Sequence, residues 1–118
     1  MHRHVVREKS FAFALRVVNL CRFLVEERRE LVLSRQLLRS GTAIGALVRE
    51  AEQAESRADF VHKMSIALKE ANEAQYWIDL LHRSGYIDSG GFTSIQTDST
   101  ELLKLLTAIV KTTKARRP

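Results

Sequence analysis

The hydrophobic positions along this chain recur with the spacing of α-helices from one end to the other. Four segments show this spacing, at about residues 7–27, 31–55, 57–84 and 93–114. The single proline is the last residue, Pro118, so no proline interrupts any of the four segments. Helices that are joined by short links pack as antiparallel neighbours. The pattern therefore predicts an all-α fold, an antiparallel up-and-down four-helix bundle that spans residues 1–118 as one domain.

The third segment carries an unbroken heptad pattern of apolar residues. Its members are Phe60, Met64, Ala67, Ala71, Ala74, Ile78 and Leu81. Alternating steps of four and three residues place these side chains on one face, as in left-handed bundles. Ser56 precedes the segment as a natural N-cap, and Gly85 follows it where a left-handed residue ends a helix. We therefore expect this helix to pack along its full length.

The second segment has small residues at the centre of its predicted core face. This face runs through Leu33, Leu37, Ser40, Ile44, Leu47, Ala51 and Ala54. Gly41 and Gly45 lie in its middle, although a glycine weakens a helix interior by up to about 1 kcal/mol relative to alanine. Two explanations are open. A neighbouring helix approaches closely or the helix kinks there, or a ligand lies against the bare backbone.

The first segment is apolar on more than one side. Between Phe11 and Val25 its polar residues are confined to Arg16, Asn19 and Arg22. A surface helix of a monomeric bundle shows a broad polar face instead. We therefore expect a second subunit to cover part of this helix, so that the protein is a homo-oligomer.

The link before the fourth segment contains the clearest turn signal in the chain. The stretch Asp88-Ser89-Gly90-Gly91 predicts a long turn, so that the fourth helix begins at about Thr93. Its inward residues are predicted to be Leu102, Leu103, Leu106, Ile109 and Val110.

Composition and charge restrict the class of protein and its partners. Apolar residues make up 45% of the chain and charged residues 28%, a balance typical of globular domains. We expect no signal peptide and no membrane span, hence a cytoplasmic protein, with the single Cys21 buried rather than reactive. The net charge of +5 and the pI near 9.8 favour polyanionic partners such as RNA or DNA.

The candidate nucleic-acid-binding residues are basic side chains of the first two helices and of the C-terminal end. They are Arg16, Arg22, Arg35, Arg39, Lys111, Lys114, Arg116 and Arg117. The four arginines of the first two helices are predicted to form one basic face in the assembly. Because no aromatic residues alternate with these cations, any binding is expected to follow the nucleic-acid backbone rather than its sequence.

Patterns that would indicate catalysis or a metal site are weak. Asp59 and Asp79 each precede a histidine by three residues, but both pairs lie on the third helix, so we expect solvated pairs and no metal or cofactor. Arg57 and His62 have the spacing found in helical ribonucleases of the HEPN type, which leaves ribonuclease activity open as an alternative. No catalytic residue is assigned. Between the second and third helices, Glu50 and Lys69 are predicted to form an ion pair.

Several stretches of the chain resemble one bacterial family. These are RSGTAIGALVREA over residues 39–51, SRADFVHKMSIALKEANEAQYW over residues 56–77, and GYI over residues 85–87. They closely resemble the four-helix-bundle proteins that are encoded in intervening sequences of 23S ribosomal RNA genes, and the resemblance covers about residues 8–112. It implies an up-and-down bundle that assembles as a homopentamer. It also implies kinship with the accessory variability protein of diversity-generating retroelements, a basic pentamer that binds nucleic acid and a reverse transcriptase.

Three functional hypotheses follow. The first is a non-enzymatic homo-oligomer, a pentamer by resemblance, that binds RNA or DNA through a repeated basic surface. The second is a structural or protein-adaptor scaffold with no role on nucleic acid. The third is the ribonuclease that would use Arg57 and His62.

Overall fold

The computed structural model describes residues 2–116, and their side chains from His4 onwards. Four α-helices make up this part of the chain: α1 (His2–Arg28), α2 (Leu33–Glu52), α3 (Arg57–Arg83) and α4 (Ser89–Ala115). Each helix contacts the next one in sequence, and α1 also contacts α4. The bundle measures 51 × 21 × 19 Å. These contacts confirm the antiparallel up-and-down four-helix bundle that the hydrophobic pattern predicts.

The core lies along the axis of the bundle, and α3 contributes more buried apolar residues to it than any other helix. All seven predicted seam residues of this helix, from Phe60 to Leu81, are buried. On the other helices the predicted inward residues are buried except for four that are partly exposed: Leu33, Leu47, Ala54 and Leu103. Cys21 is buried as expected. Its thiol donates to the carbonyl oxygen of Ser34 at 3.2 Å, which joins α1 to the first turn of α2.

The two glycines of α2 allow that helix to approach α1 closely. A Cβ atom on Gly41 would lie 2.8 Å from Cγ2 of Val17, which is less than a van der Waals contact. A Cβ on Gly45 would lie 3.5 Å from the carbonyl oxygen of Ser10, an ordinary contact. The space beside Gly41 is therefore filled by α1. Of the two explanations, close helix approach is confirmed at this position.

The turn between α1 and α2 is held by a buried carboxylate. Glu30 accepts hydrogen bonds from the backbone N–H groups of Leu33 and Ser34 at 2.8 and 2.9 Å. It thereby satisfies two of the unpaired N–H groups at the N-terminus of α2. The preceding residue, Arg29, has a φ of 56°, in the left-handed region. This geometry places the start of α2 at Leu33, two residues later than the periodicity predicts.

The caps of α3 follow the prediction, whereas the start of α4 does not. The Ser56 side chain accepts from the N–H of Asp59, and Gly85 has a φ of +90° just after the helix. The long turn predicted before α4 is wrong, because α4 already begins at Ser89. Asp88 acts as its N-cap and accepts from the N–H of Gly91 at 2.7 Å. A capping aspartate thus outweighs two glycines when they fall in the first turn.

None of the helices in the described part of the chain combines the length and the hydropathy that a bilayer-spanning helix requires.

Candidate nucleic-acid interface

The predicted basic face on α1 and α2 does not form within one chain. Arg16 faces α4, where it bonds to Asp98 at 2.6 Å and to the hydroxyl of Ser94 at 2.8 Å. Arg39 faces α3, where it meets Glu70 and Glu73. Because the two arginines point to different flanks of the bundle and each meets carboxylates, neither is a free cation in the monomer. Of the four predicted arginines, Arg22 and Arg35 have no carboxylate partner among residues 4–116.

Arg39 belongs to a polar cluster that joins α2 to α3. Its guanidinium lies 2.5 Å from Glu73 and 3.6 Å from Glu70. Glu73 also accepts from the indole N–H of Trp77 at 3.0 Å. The Trp77 hydrogen bond and then the Arg39 hydrogen bond lower the pKa of Glu73, and the same partnership with Glu73 raises the pKa of Arg39. The cluster therefore fixes the position of two helices and leaves little of this charge for a ligand.

The predicted pair of Glu50 and Lys69 is wrong. Glu50 instead bonds to Lys63 at 3.1 Å. The two candidate lysines are six residues apart on α3, which is more than one turn and about 9 Å along the axis. The axial offset between the two helices therefore decides the partner.

One side of the α1–α2 pair carries exposed apolar side chains. Phe11 and Leu15 are 51% and 53% exposed, and Val25 and Leu38 are about two-fifths exposed. On α1 their spacing keeps them within about a quarter of the circumference, at 100° per residue. The guanidinium of Arg49 lies 5.4 Å from the ring centre of Phe11, which places this side next to α2. We call these four residues, Phe11, Leu15, Val25 and Leu38, the α1–α2 apolar face.

The opposite side of the bundle contains a shallow groove between α3 and α4. It is lined by Asn72, Gln75, Thr100, Leu103, Lys104, Thr107, Ala108, Lys111 and Thr112, and we call it the α3–α4 groove. Its lining holds hydroxyls, amides and two lysines but no carboxylate. The nearest acid on α4, Glu101, is held by Lys9 at 3.1 Å. The groove is therefore a cationic surface with no acid in its lining.

Lys111, Lys114 and Arg116 continue this cationic surface to the end of α4. From residue 102 onwards the sequence contains no aspartate or glutamate. Within the described chain no carboxylate lies within ion-pair distance of Lys104, Lys111 or Lys114. Sequence reasoning missed Lys104, although its seven-residue spacing from Lys111 places both on one side of α4. Arg117 lies outside the described residues.

The residues of the ribonuclease hypothesis do not form a catalytic pair within the described structure. Arg57 lies in the first turn of α3 and donates a hydrogen bond to the carbonyl oxygen of Arg116, at the end of α4. His62 is exposed on α3. Five residues along a helix correspond to a rotation of about 140°, so the two side chains leave α3 on different faces. Arg57 thus ties the ends of two helices together.

The second aspartate–histidine pair of α3, Asp79 and His82, has structural partners instead of a shared ligand position. Asp79 pairs with Arg83 at 3.2 Å, and the ring of His82 stacks on Phe92 with centroids 4.1 Å apart. Across the described residues, no group of three or more histidine, cysteine, aspartate or glutamate side chains is arranged to hold a metal ion.

Comparisons with known proteins place the chain in a family. The model of the family described as 23S rRNA-intervening sequence protein matches residues 2–108. A crystal structure from Bacteroides thetaiotaomicron, described as a protein with unknown function from the S23 ribosomal protein family, is 58% identical in sequence. It superposes with a TM-score of 0.92 over 94% of this chain and 99% of that one. No curated protein matches. Because this family model matches nearly all of the four helices, the chain belongs to the 23S rRNA-intervening sequence protein family.

Proposed function

We propose that this protein is a non-enzymatic homo-oligomer that binds RNA or DNA through the phosphate backbone. The observation that carries the proposal is the carboxylate-free surface formed by the α3–α4 groove and the end of α4. Its cations are Lys104, Lys111, Lys114 and Arg116. Lysines that lack a carboxylate partner can neutralise phosphates and release the counterions that surround a nucleic acid, which is the main source of sequence-independent affinity.

The lining of the groove suits a backbone rather than a set of base edges. Phosphate and sugar contacts come mainly from lysine, arginine, hydroxyl and amide groups, all of which are present here. The C-terminal turn of α4 contributes no acid that would repel a phosphate. A single chain nevertheless offers few cations, so that its affinity on its own would be modest.

Assembly would supply the missing affinity. Large apolar side chains that form a contiguous exposed patch mark interaction sites in soluble proteins. The α1–α2 apolar face gathers four exposed apolar side chains on one side of the bundle, and it is separate from the α3–α4 groove. We infer that copies of the chain associate through this face, in the number of five that the family resemblance implies. Each copy would then add its groove to the surface that meets one nucleic acid, a gain in avidity without new contacts.

Light-scattering mass tests the assembly. We expect the wild-type protein to be a multimer, and Leu15→Glu to dissociate it because the substitution places a charge in the α1–α2 apolar face. Thr97→Glu, on the exposed surface of α4, is the matched control and should leave the mass unchanged. A monomeric wild-type protein would contradict the assembly part of the proposal.

Binding to a labelled nucleic-acid duplex over a salt series tests the backbone part. The logarithm of the association constant should fall linearly with the logarithm of salt concentration, with a slope of about 0.9 for each phosphate neutralised. Lys104→Gln and Lys111→Gln should each reduce that slope by about 1 per copy engaged. Lys63→Gln removes a lysine that Glu50 already holds and should leave it unchanged. Absence of binding at low salt would exclude the proposal and leave a protein scaffold, docked through the α1–α2 apolar face, as the function.

A further inference from the structure

The α3–α4 groove contains hydrogen-bond acceptors that a phosphate cannot satisfy. The amide nitrogen of Asn72 donates to the carbonyl oxygen of Leu68 at 3.2 Å, and that of Gln75 donates to the hydroxyl of Thr100 at 3.2 Å. These bonds use the nitrogens. Within the described structure the amide oxygens of Asn72 and Gln75 accept no hydrogen bond.

The groove therefore presents two kinds of polar group side by side. Lys104 and Lys111 are donors that suit phosphate oxygens, and seven residues of helix separate them by about 10 Å. The two amide oxygens are open acceptors and suit a ligand that carries a donor close to its phosphates. A DNA backbone carries only acceptors, because phosphate and deoxyribose have no O–H or N–H group along the strand. A ribose supplies one at every nucleotide, the 2′-hydroxyl.

No aromatic side chain that could stack unpaired bases lines the α3–α4 groove, and the exposed Tyr76, one turn along α3 from Asn72, lies outside its lining. The nearest aromatic upstream on α4 is Phe92, and its ring is already stacked on His82 with the ring planes 11° apart. Proteins that bind single strands without sequence preference depend on base stacking. A ligand whose bases are already paired fits this groove better.

Together these observations point to one class of nucleic acid. We propose that the α3–α4 groove recognises A-form double-stranded RNA, with phosphates at Lys104 and Lys111 and ribose 2′-hydroxyls donating to the amide oxygens of Asn72 and Gln75. The wide, shallow minor groove of A-form RNA displays these hydroxyls next to the phosphates. The minor groove of B-form DNA is about 6 Å wide and does not admit a pair of helices. This inference rests on the proposed binding of nucleic-acid backbones and names its ligand.

The test compares three probes with the full-length protein: an RNA duplex, a DNA duplex of the same sequence, and one of the RNA strands alone. We expect the RNA duplex to bind most tightly at each salt concentration. Asn72→Ala and Gln75→Met remove one amide oxygen each and should lower RNA-duplex affinity by about threefold to tenfold, the value of one or two hydrogen bonds. Affinity for the DNA duplex should not change, which separates loss of hydroxyl recognition from loss of folding.

The control variants separate loss of phosphate binding from loss of 2′-hydroxyl recognition. Lys104→Gln should weaken RNA and DNA duplexes equally, since it removes a phosphate contact and no hydroxyl contact. Lys63→Gln, on the α2 side of α3, should alter neither. Equal affinity for RNA and DNA duplexes, or tighter binding of the single strand, would overturn the inference while leaving backbone binding intact. If none of the three probes binds at low salt, both the inference and the proposed function fail.

Discussion

The two glycines of α2 provide a matched pair of substitutions that tests the packing of α1 against α2. Gly41→Ala and Gly45→Ala change the same residue type in the same helix, four residues apart. Each replaces a glycine by the best helix former, a gain of about 1 kcal/mol in helix propensity. Their tertiary surroundings differ. The new Cβ at Gly41 lies 2.8 Å from Cγ2 and 2.9 Å from Cγ1 of Val17, whereas the one at Gly45 meets its nearest atom at 3.5 Å.

The expected difference follows from the stiffness of Val17. This side chain is 0% exposed, and a β-branched residue in a helix has essentially one χ1 rotamer. It cannot move aside, so relief requires the two helices to separate. Overpacking of this kind costs about 1–3 kcal/mol. Gly45→Ala should therefore raise the free energy of unfolding by up to about 1 kcal/mol. Gly41→Ala should be about 1–3 kcal/mol less stable than Gly45→Ala.

Urea denaturation followed by circular dichroism measures this difference. Protein concentration must be the same in all samples, because the stability of an oligomer depends on it. The double variant Val17→Ala/Gly41→Ala removes both methyl groups that cause the clash. It should be more stable than the sum of the single effects by about 0.5–3 kcal/mol. If Gly41→Ala proves as stable as Gly45→Ala, the close approach of α1 and α2 at this point is wrong.

Three further predictions concern single buried or paired groups. Glu30→Ala should lower the free energy of unfolding by about 1–2 kcal/mol, because two backbone N–H groups lose their acceptor, whereas the exposed Glu27→Ala should have little effect in the same urea assay. Burial, and then the charge of Glu30, raises the pKa of Cys21 from 9.0 to about 11. The folded state therefore keeps a proton that the unfolded state releases, so stability should be complete below pH 9 and fall between pH 9 and 11. A Cys21→Ser variant should lack that fall, and thiol-labelling of the native wild-type protein at pH 8 should be far slower than in urea. Hydrogen bonds from Trp77 and Arg39 lower the pKa of Glu73, so ionised Glu73 stabilises the folded state at pH values above the ordinary glutamate pKa. This stabilisation is lost on further acidification. Glu73→Gln should flatten the acid limb of the stability curve, and an unchanged acid limb would contradict the pairing.

Local sequence signals predict the four helices and the caps of α3, but not where every helix begins. A heptad seam reports which side of a helix is buried whatever lies against it, and all seven residues of the α3 seam are buried. Ser56 and Gly85 act within one turn of their own position, so their roles as N-cap and left-handed stop were readable in advance. Asp88 is also a local capping signal, but the two glycines after it favoured a long turn, so the predicted start of α4 at Thr93 was wrong.

Side-chain partners between helices were decided only by the tertiary structure. Arg16 and Arg39 look alike in sequence, but one turns to Asp98 on α4 and the other to Glu73 on α3. Glu50 meets Lys63 instead of Lys69 for the same reason. Periodicity gives the buried side of each helix but not its axial offset or its rotation relative to a neighbour, and these depend on how the whole core packs.

The α3–α4 groove depends both on the sequence and on the tertiary structure. The basic residues Lys111, Lys114, Arg116 and Arg117 are a property of the sequence alone, and they made the end of the chain a candidate surface. That Lys104 and Lys111 share a groove with the amides of Asn72 and Gln75 depends on the way α3 lies against α4. Charge along a chain is a local quantity, whereas the set of groups that one ligand can reach is defined only when helices distant in sequence are brought side by side.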